Sequence, residues 1–238
     1  MPPPVQRPAV PTSGAVGIPP FDPRQVPIHG RDHHLPSIPT RAQTAQALRT
    51  RFAAPPPWQP ELRGEPAFTQ RPLAAAAVLM PLVQHDDGLR VLLTQRSHRL
   101  SSHSGQVAFP GGRSDPQDSD AIATALREAW EEVGLLPERT EVLGSLPLYT
   151  TGSAFAVTPV VALIAPQPLQ PNPDEVAQVF EVPLSFLLNP ANHQRHRMHW
   201  QGQMREWFAM PYQDGPQEHF IWGATAGMLR NLYRFMAA

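Results

Sequence analysis

Cysteine is absent from the chain. That absence removes a disulfide scaffold, a thiolate metal site and a cysteine nucleophile together. Long apolar runs are missing too: the longest, Leu73 to Val83, is broken by Pro81 and falls well short of the roughly 18 residues a membrane span requires. Met1 to Pro20 has no basic segment followed by an apolar one and is interrupted by proline, so no secretory leader is read there. Cytoplasm is the expected compartment. Charge of one sign is not in excess, since the formal net charge is −1. No overall field draws in nucleic acid or an anionic membrane, so neither is an expected partner, while a small anionic substrate stays compatible.

What the chain does have is enough apolar sequence for one substantial core: 238 residues, 41% hydrophobic and 16% charged. About half of its 31 prolines fall in the first quarter. Met1 to Pro39 shows almost no hydrophobic periodicity, and such a composition buries too little surface to offset the entropy of ordering. Residues 1–39 are therefore expected to be a disordered, proline-rich tail, with one domain over residues 40–238. Thr40 is placed to cap a short helix over Arg41 to Phe52, with Ala45, Leu48 and Phe52 on one stripe. Ala74 to Val83 and Leu89 to Gln95 read as strands joined at Asp86-Asp87-Gly88. Asp118 or Asp120 opens a helix that ends at Gly134. Strands follow at Glu141 to Leu148, Val157 to Ile164 and Val179 to Val182. A hairpin is expected over Arg197 to Trp200 and Glu206 to Met210, and a closing helix from Gly223 to Met236. Strands and helices mix without regular alternation, which favours an α/β fold with a mixed sheet flanked by helices.

The segment Ala121 to Leu135 carries the chemistry. Ile122, Leu126, Ala129 and Val133 recur at helical spacing and predict a buried stripe. Glu128, Glu131 and Glu132 lie three and four apart on a different face, and like charges so placed destabilise a helix by roughly 0.2–0.5 kcal/mol each. Arg127 offsets part of that. Carboxylates concentrated on one rigid helix suit hard cations such as Mg²⁺ or Mn²⁺. Phe109-Pro110-Gly111-Gly112 precedes the helix, and paired glycines let the backbone approach a ligand closely.

Gly112, Arg127-Glu128, Glu131-Glu132 and Gly134-Leu135 resemble the Nudix box, in which Gly, five residues and Glu are followed, seven residues on, by Arg-Glu-U-x-Glu-Glu-x-Gly-U with U apolar. The second half matches, with Ala129 as the apolar residue. The first half departs: Asp118 replaces the glutamate, and eight residues separate it from Arg127. Upstream, Leu92-Leu93-Thr94-Gln95-Arg96-Ser97 and Gly105-Gln106-Val107-Ala108-Phe109-Pro110 are similar to the signature of the coenzyme A diphosphatase branch. Val157-Thr158-Pro159-Val160-Val161, the stretch Asp174 to Leu184, and Trp222-Gly223-Ala224-Thr225-Ala226-Gly227 also look like that branch. Ser101 stands where the branch usually carries arginine.

The resemblance implies a Nudix-type α/β/α sandwich with a mixed β-sheet. It also implies metal-dependent cleavage of coenzyme A, or of acyl-CoA, to 3′,5′-adenosine bisphosphate and 4′-phosphopantetheine. Glu128, Glu131 and Glu132 would hold Mg²⁺ or Mn²⁺, with the Gly111 carbonyl as a further ligand, and Arg127 would orient Glu128. A helix glutamate or Glu175 would be the general base. Arg96, Arg99, Gly105, Phe109 and Gly112 are expected on the substrate. Other nucleoside diphosphate derivatives (ADP-ribose, NADH, a dinucleoside polyphosphate) stay open, as do a non-catalytic nucleotide-binding module and the choice between monomer and homodimer. His193, His196 and His199 suggest zinc by spacing, but alternation in a strand turns His196 away, so solvated roles are expected. Trp200, Trp207, Phe208 and Trp222 are expected in the core rather than as an adenine shelf.

Overall fold

The computed structural model describes residues 21–97, 105–200 and 202–238. Strand β1 (Ile28–Arg31) precedes helix α1 (Ala45–Ala53), and β2 (Ala74–His85) and β3 (Gly88–Arg96) form a long hairpin. Short strands β4 (Val107–Ala108) and β5 (Gly111–Arg113) lead into α2 (Ala121–Val133). Strands β6 (Thr140–Ser145), β7 (Tyr149–Thr150), β8 (Phe155–Ile164) and β9 (Val176–Pro183) follow, then α3 (Leu184–Leu187). The chain continues through β10 (Gln194–Trp200), β11 (Gln203–Asp214) and β12 (Gln217–Trp222) into α4 (Gly223–Ala237). Among the described residues no helix is long and apolar enough to cross a membrane.

The larger, eight-stranded sheet is mixed. β2 runs parallel to β8, from Ala74 opposite Phe155 to Val83 opposite Ile164, and antiparallel to β3 and β5. Because side chains alternate along a strand, β2 sends Ala77, Leu79 and Val83 to one face and Met80 and Leu82 to the other. On the first face Ala125, Ala129 and Val133 of α2 close a core. The second face bears a larger core, completed by Leu229, Leu232 and Tyr233 of α4 and by Phe208, Met210 and Ile221. Helices thus cover both faces of a mixed sheet, the expected α/β/α sandwich.

The second sheet was only half legible. The expected hairpin is longer, spanning β10 and β11, and it acquires two more strands to give the order β1-β10-β11-β12. β1 falls inside residues 1–39, where a tail without structure is expected, so residues 28–31 correct that reading. Residues 1–20 lie outside the described part of the chain. From Phe21 onward the segment packs on the fold, and β1 pairs with β10 from Ile28 opposite His196 to Arg31 opposite Gln194. Composition hid this strand because its ordering comes from backbone pairing with a distant edge, not from apolar residues of its own.

Two helices also correct the sequence reading. α1 begins at Ala45, with the Thr44 side chain accepting from Ala47 N; Thr40 starts a separate 3₁₀ turn over Thr40–Ala42. In α2, Asp120 is the N-cap, accepting from Ala123 N, and Gly134 closes the helix in the left-handed region at φ +73°. The buried side of α2 is Thr124, Ala125, Ala129, Glu132 and Val133, with Ile122 and Leu126 only half-buried. The inward stripe is thus rotated, and it carries Glu132 into the interior.

Candidate active site

β5 lies antiparallel against β2, with Gly112 opposite Ala77 and Gly111 opposite Val78. Both positions are crowded. A Cβ on Gly111 would come within 2.5 Å of the Ala77 carbonyl oxygen, and one on Gly112 within 2.5 Å of Glu128 Oε2. The missing side chains are what allow β5 to close on β2 and the Glu128 carboxylate to rest on the Gly112 backbone.

Glu132 is only 4% exposed. Its Oε2 accepts from Gly111 N at 3.2 Å, and Oε1 stands 3.9 Å from Arg96 Nη1. Burial pushes its carboxyl up to about 7; the Gly111 N–H and the Arg96 charge oppose that shift, and Glu128 and Glu175 reinforce it. Glu128 is also raised, first by burial, with Arg127 opposing and Glu131 and Glu175 adding repulsion. A buried and a half-buried carboxylate therefore lie close together, each disfavoured as an anion by burial.

Arg127 is the hub on the open side. It donates from Nη1 to Glu128 Oε1 (3.0 Å) and Glu131 Oε2 (3.1 Å). From Nε and Nη2 it donates to the two oxygens of Asp118, both at 2.9 Å, and from Nη2 to the Arg113 carbonyl at 3.1 Å. Asp118, which the sequence offered as an alternative start of the helix, is instead a bidentate anchor for this guanidinium. Hydrogen bonds from Arg127 and the Asp115 backbone hold its carboxyl well below the ordinary range.

Of the residues expected on substrate, Arg96, Phe109 and Gly112 line one cavity of about 400 Å³, and Gly111, expected as a metal ligand, lines it too. Phe109 does so as a core residue only 2% exposed. Gly105 is not on the cavity wall; it makes a turn at φ +70° and donates its N–H to the Arg96 carbonyl. Arg99 and Ser101 lie outside the described residues. Glu175 closes the turn that leads into β9, its carbonyl accepting from Ser97 N at 2.8 Å, and its charge acts on both Glu128 and Glu132.

The histidines and aromatics correct the sequence reading. His193 and His196 are buried, at 0% and 2% exposure, rather than solvated. His193 pairs its ring nitrogens with the Leu187 carbonyl and Arg230 Nη1, and His196 Nδ1 with the Val26 carbonyl. His199 is exposed. Among the described residues no group of three acidic, histidine or cysteine side chains stands ready to hold a metal. Phe208 is in the core as expected, but Trp207 and Trp222 face the cavity. Their signal lay in the weighed but disfavoured aromatic shelf.

The NUDIX domain family profile matches residues 72–208, which takes in β2 to β10, the double glycine and α2. The chain is a Nudix hydrolase. It is 44% identical over 202 residues to a protein of Pectobacterium atrosepticum described as uncharacterized Nudix hydrolase NudL, covering 79% of this chain and 94% of that one. To Nudix hydrolase 15, mitochondrial, of Arabidopsis thaliana it is 41% identical over 159 residues, 65% of this chain and 55% of that protein. A solved Caenorhabditis elegans Ap4A hydrolase shares 23% identity, with 50% of this chain and 86% of that one aligned at a TM-score of 0.41.

As a Nudix hydrolase the chain acts on a diphosphate-bearing small molecule, and the family generally works with a divalent cation such as Mg²⁺ or Mn²⁺. The donor chemistry fits such an ion. Glu128 and Glu132 are hard oxygen donors held against a glycine backbone, both with carboxyls raised by burial, and Glu131 needs only to leave Arg127 to join them.

Proposed function

We propose that this Nudix hydrolase cleaves the diphosphate of coenzyme A, releasing 3′,5′-adenosine bisphosphate and 4′-phosphopantetheine. The observation that carries the reading is Arg96. It closes β3 in the segment resembling the coenzyme A branch, and it meets Glu132 and the cavity at one point. Its Nε is buried and without an acceptor among the described residues, so a phosphate oxygen satisfies a donor that is otherwise orphaned.

Glu128, Glu131 and Glu132, with the Gly111 carbonyl, are the residues that would hold Mg²⁺ or Mn²⁺. When bound, the cation neutralises phosphate charge and acidifies a water. Arg127, fixed by Asp118, keeps Glu128 in one orientation. Glu175 takes the proton of the attacking water. Its charge reaches the same cluster, and among the described residues its carboxylate makes no hydrogen bond or ion pair that would occupy it.

The test is mass spectrometry of products after incubating the protein with coenzyme A, ADP-ribose, NADH and a dinucleoside polyphosphate, each with Mg²⁺ and with Mn²⁺. The expected result is 4′-phosphopantetheine appearing well ahead of any other product. Turnover of the other compounds with coenzyme A left intact would replace this reading.

A further inference from the structure

The cavity beside Arg96 is far larger than a diphosphate needs, and its walls are of two kinds. One part is backbone and cation: Gly111, Gly112, Arg96 and Arg113. Another is a nest of rings from three separate elements. Phe21 precedes β1, Trp207 lies on β11 and Trp222 ends β12, with ring centroids 5.6, 6.1 and 6.3 Å apart in tilted and edge-on arrangements. Met198 and Met228 extend this surface. At about 400 Å³ the space is within the range of small-molecule sites.

Two further donors belong to this wall. Arg205 Nε and Trp207 Nε1 are buried and find no acceptor among the described residues. Arg205 is 9% exposed, its guanidinium lies over Phe68 and Trp200 at 4.4 and 4.7 Å, and its terminal nitrogens already donate to the Pro66 and Ala67 carbonyls. Burying a donor without a partner costs roughly 1–3 kcal/mol, so orphaned donors on one wall mark a place for acceptors brought by a ligand. Two carboxylates, Glu65 and Glu206, stand on the same wall. A further phosphate here would meet like charge and an arginine whose outer nitrogens are taken. An uncharged chain with amide carbonyls meets rings, thioethers and the two waiting N–H groups.

We infer that this cavity seats the uncharged arm of the substrate, the pantetheine side rather than the nucleotide side, with Phe21, Trp207 and Trp222 as its apolar wall and Trp207 Nε1 and Arg205 Nε as donors to its amide carbonyls. The assignment rests on the coenzyme A reading but concerns a different question: which half enters. It makes Trp207 and Arg205 specificity residues, and it gives Phe21, in a segment that composition marks as tail, a place in substrate binding.

Calorimetry on the full chain with Mg²⁺ tests it, using 4′-phosphopantetheine and 3′,5′-adenosine bisphosphate as separate probes. Trp207→Phe keeps a ring and removes one donor; it should weaken 4′-phosphopantetheine about fivefold and leave the bisphosphate unchanged. Met198→Trp, a substitution that a strand accommodates, fills the space from another wall and should weaken the same probe at least ~10-fold. Circular dichroism checks that both variants fold. Bisphosphate binding that depends on Trp207 and Met198 would reverse the assignment, and indifference of both probes to both changes would end it. The coenzyme A reading fails separately, by the wild-type protein releasing no 4′-phosphopantetheine from coenzyme A.

Discussion

At the scale of single residues, Glu132 concentrates what the site does. It sits on the inward side of α2, where an apolar residue would pack, and its carboxyl is held at about 7 by burial. A raised acid pKa means that the native state keeps a proton the unfolded chain has lost, so ionised Glu132 subtracts stability as pH rises from 4.5 toward 7. Glu132→Gln is therefore expected to melt no lower than wild type at pH 8 without metal, while losing at least ~100-fold in diphosphatase rate. Thermal melting and product release measured on one preparation check both halves. Equal turnover would remove this residue from the reaction. The same scale shows what the sequence hid. Three glutamates at helical spacing beside a double glycine were legible. That Asp118 anchors Arg127 was not, because the extra residue in the Asp118-to-Arg127 spacing breaks the family pattern and only the fold shows that the loop absorbs it.

At the scale of elements, the N-terminal segment is tied down by charge. Asp32, just after β1, accepts from Arg195 of β10 at 3.0 Å and lies 2.8 Å from Arg230 of α4. Glu61 accepts from both arginines, at 2.8 and 2.7 Å. Arg230 is 1% and Asp32 5% exposed, so the group is a buried network, and removing one member leaves charge stranded. Asp32→Ala should cost about 3 kcal/mol in urea denaturation. Glu206→Ala, which loses only the half-exposed contact to Arg195 at 3.3 Å, should cost less than about 1 kcal/mol. Equal losses would show that the network does not hold the segment. No reading of composition reaches this network, because its members are far apart in the chain and each looks like a surface charge. β2, β3, β8 and α2 were legible because their own apolar periodicity sets them.

At the scale of the whole molecule, the network gives stability a defined acid limb. Burial holds His193 down to about 4 from an ordinary 6.5. Between those values the unfolded chain binds a proton that the native state refuses, so stability falls as pH drops from 6.5 to 4, by an order of 3 kcal/mol if the whole shift is expressed. Asp32 and Glu61 extend the decline. Burial alone would raise their carboxyls, but Arg195 and Arg230 outweigh it and hold both below the ordinary range. Their contribution is complete above the ordinary carboxylate pKa and is lost as pH falls through the depressed values. Glu132 gains stability over the same window, so the test is made in the Glu132→Gln background: urea midpoints at pH 7, 5.5 and 4.5 should fall in that order there, and adding His193→Gln should flatten the first step. A flat profile in the Glu132→Gln background would mean that His193 is not held neutral.

The union of residues 32–62 with α4 also bears on how the protein is made. The Tyr233 hydroxyl donates to the Pro36 carbonyl across 197 positions, and Arg51 Nη2 donates to the Met236 carbonyl. While the chain emerges from a ribosome, the early segment can meet β10 but lacks its α4 partners until residues 223–237 are out. Until then the face that α4 will cover stays open to other molecules, so the nascent protein depends on a late, long-range closure and on whatever shields it meanwhile.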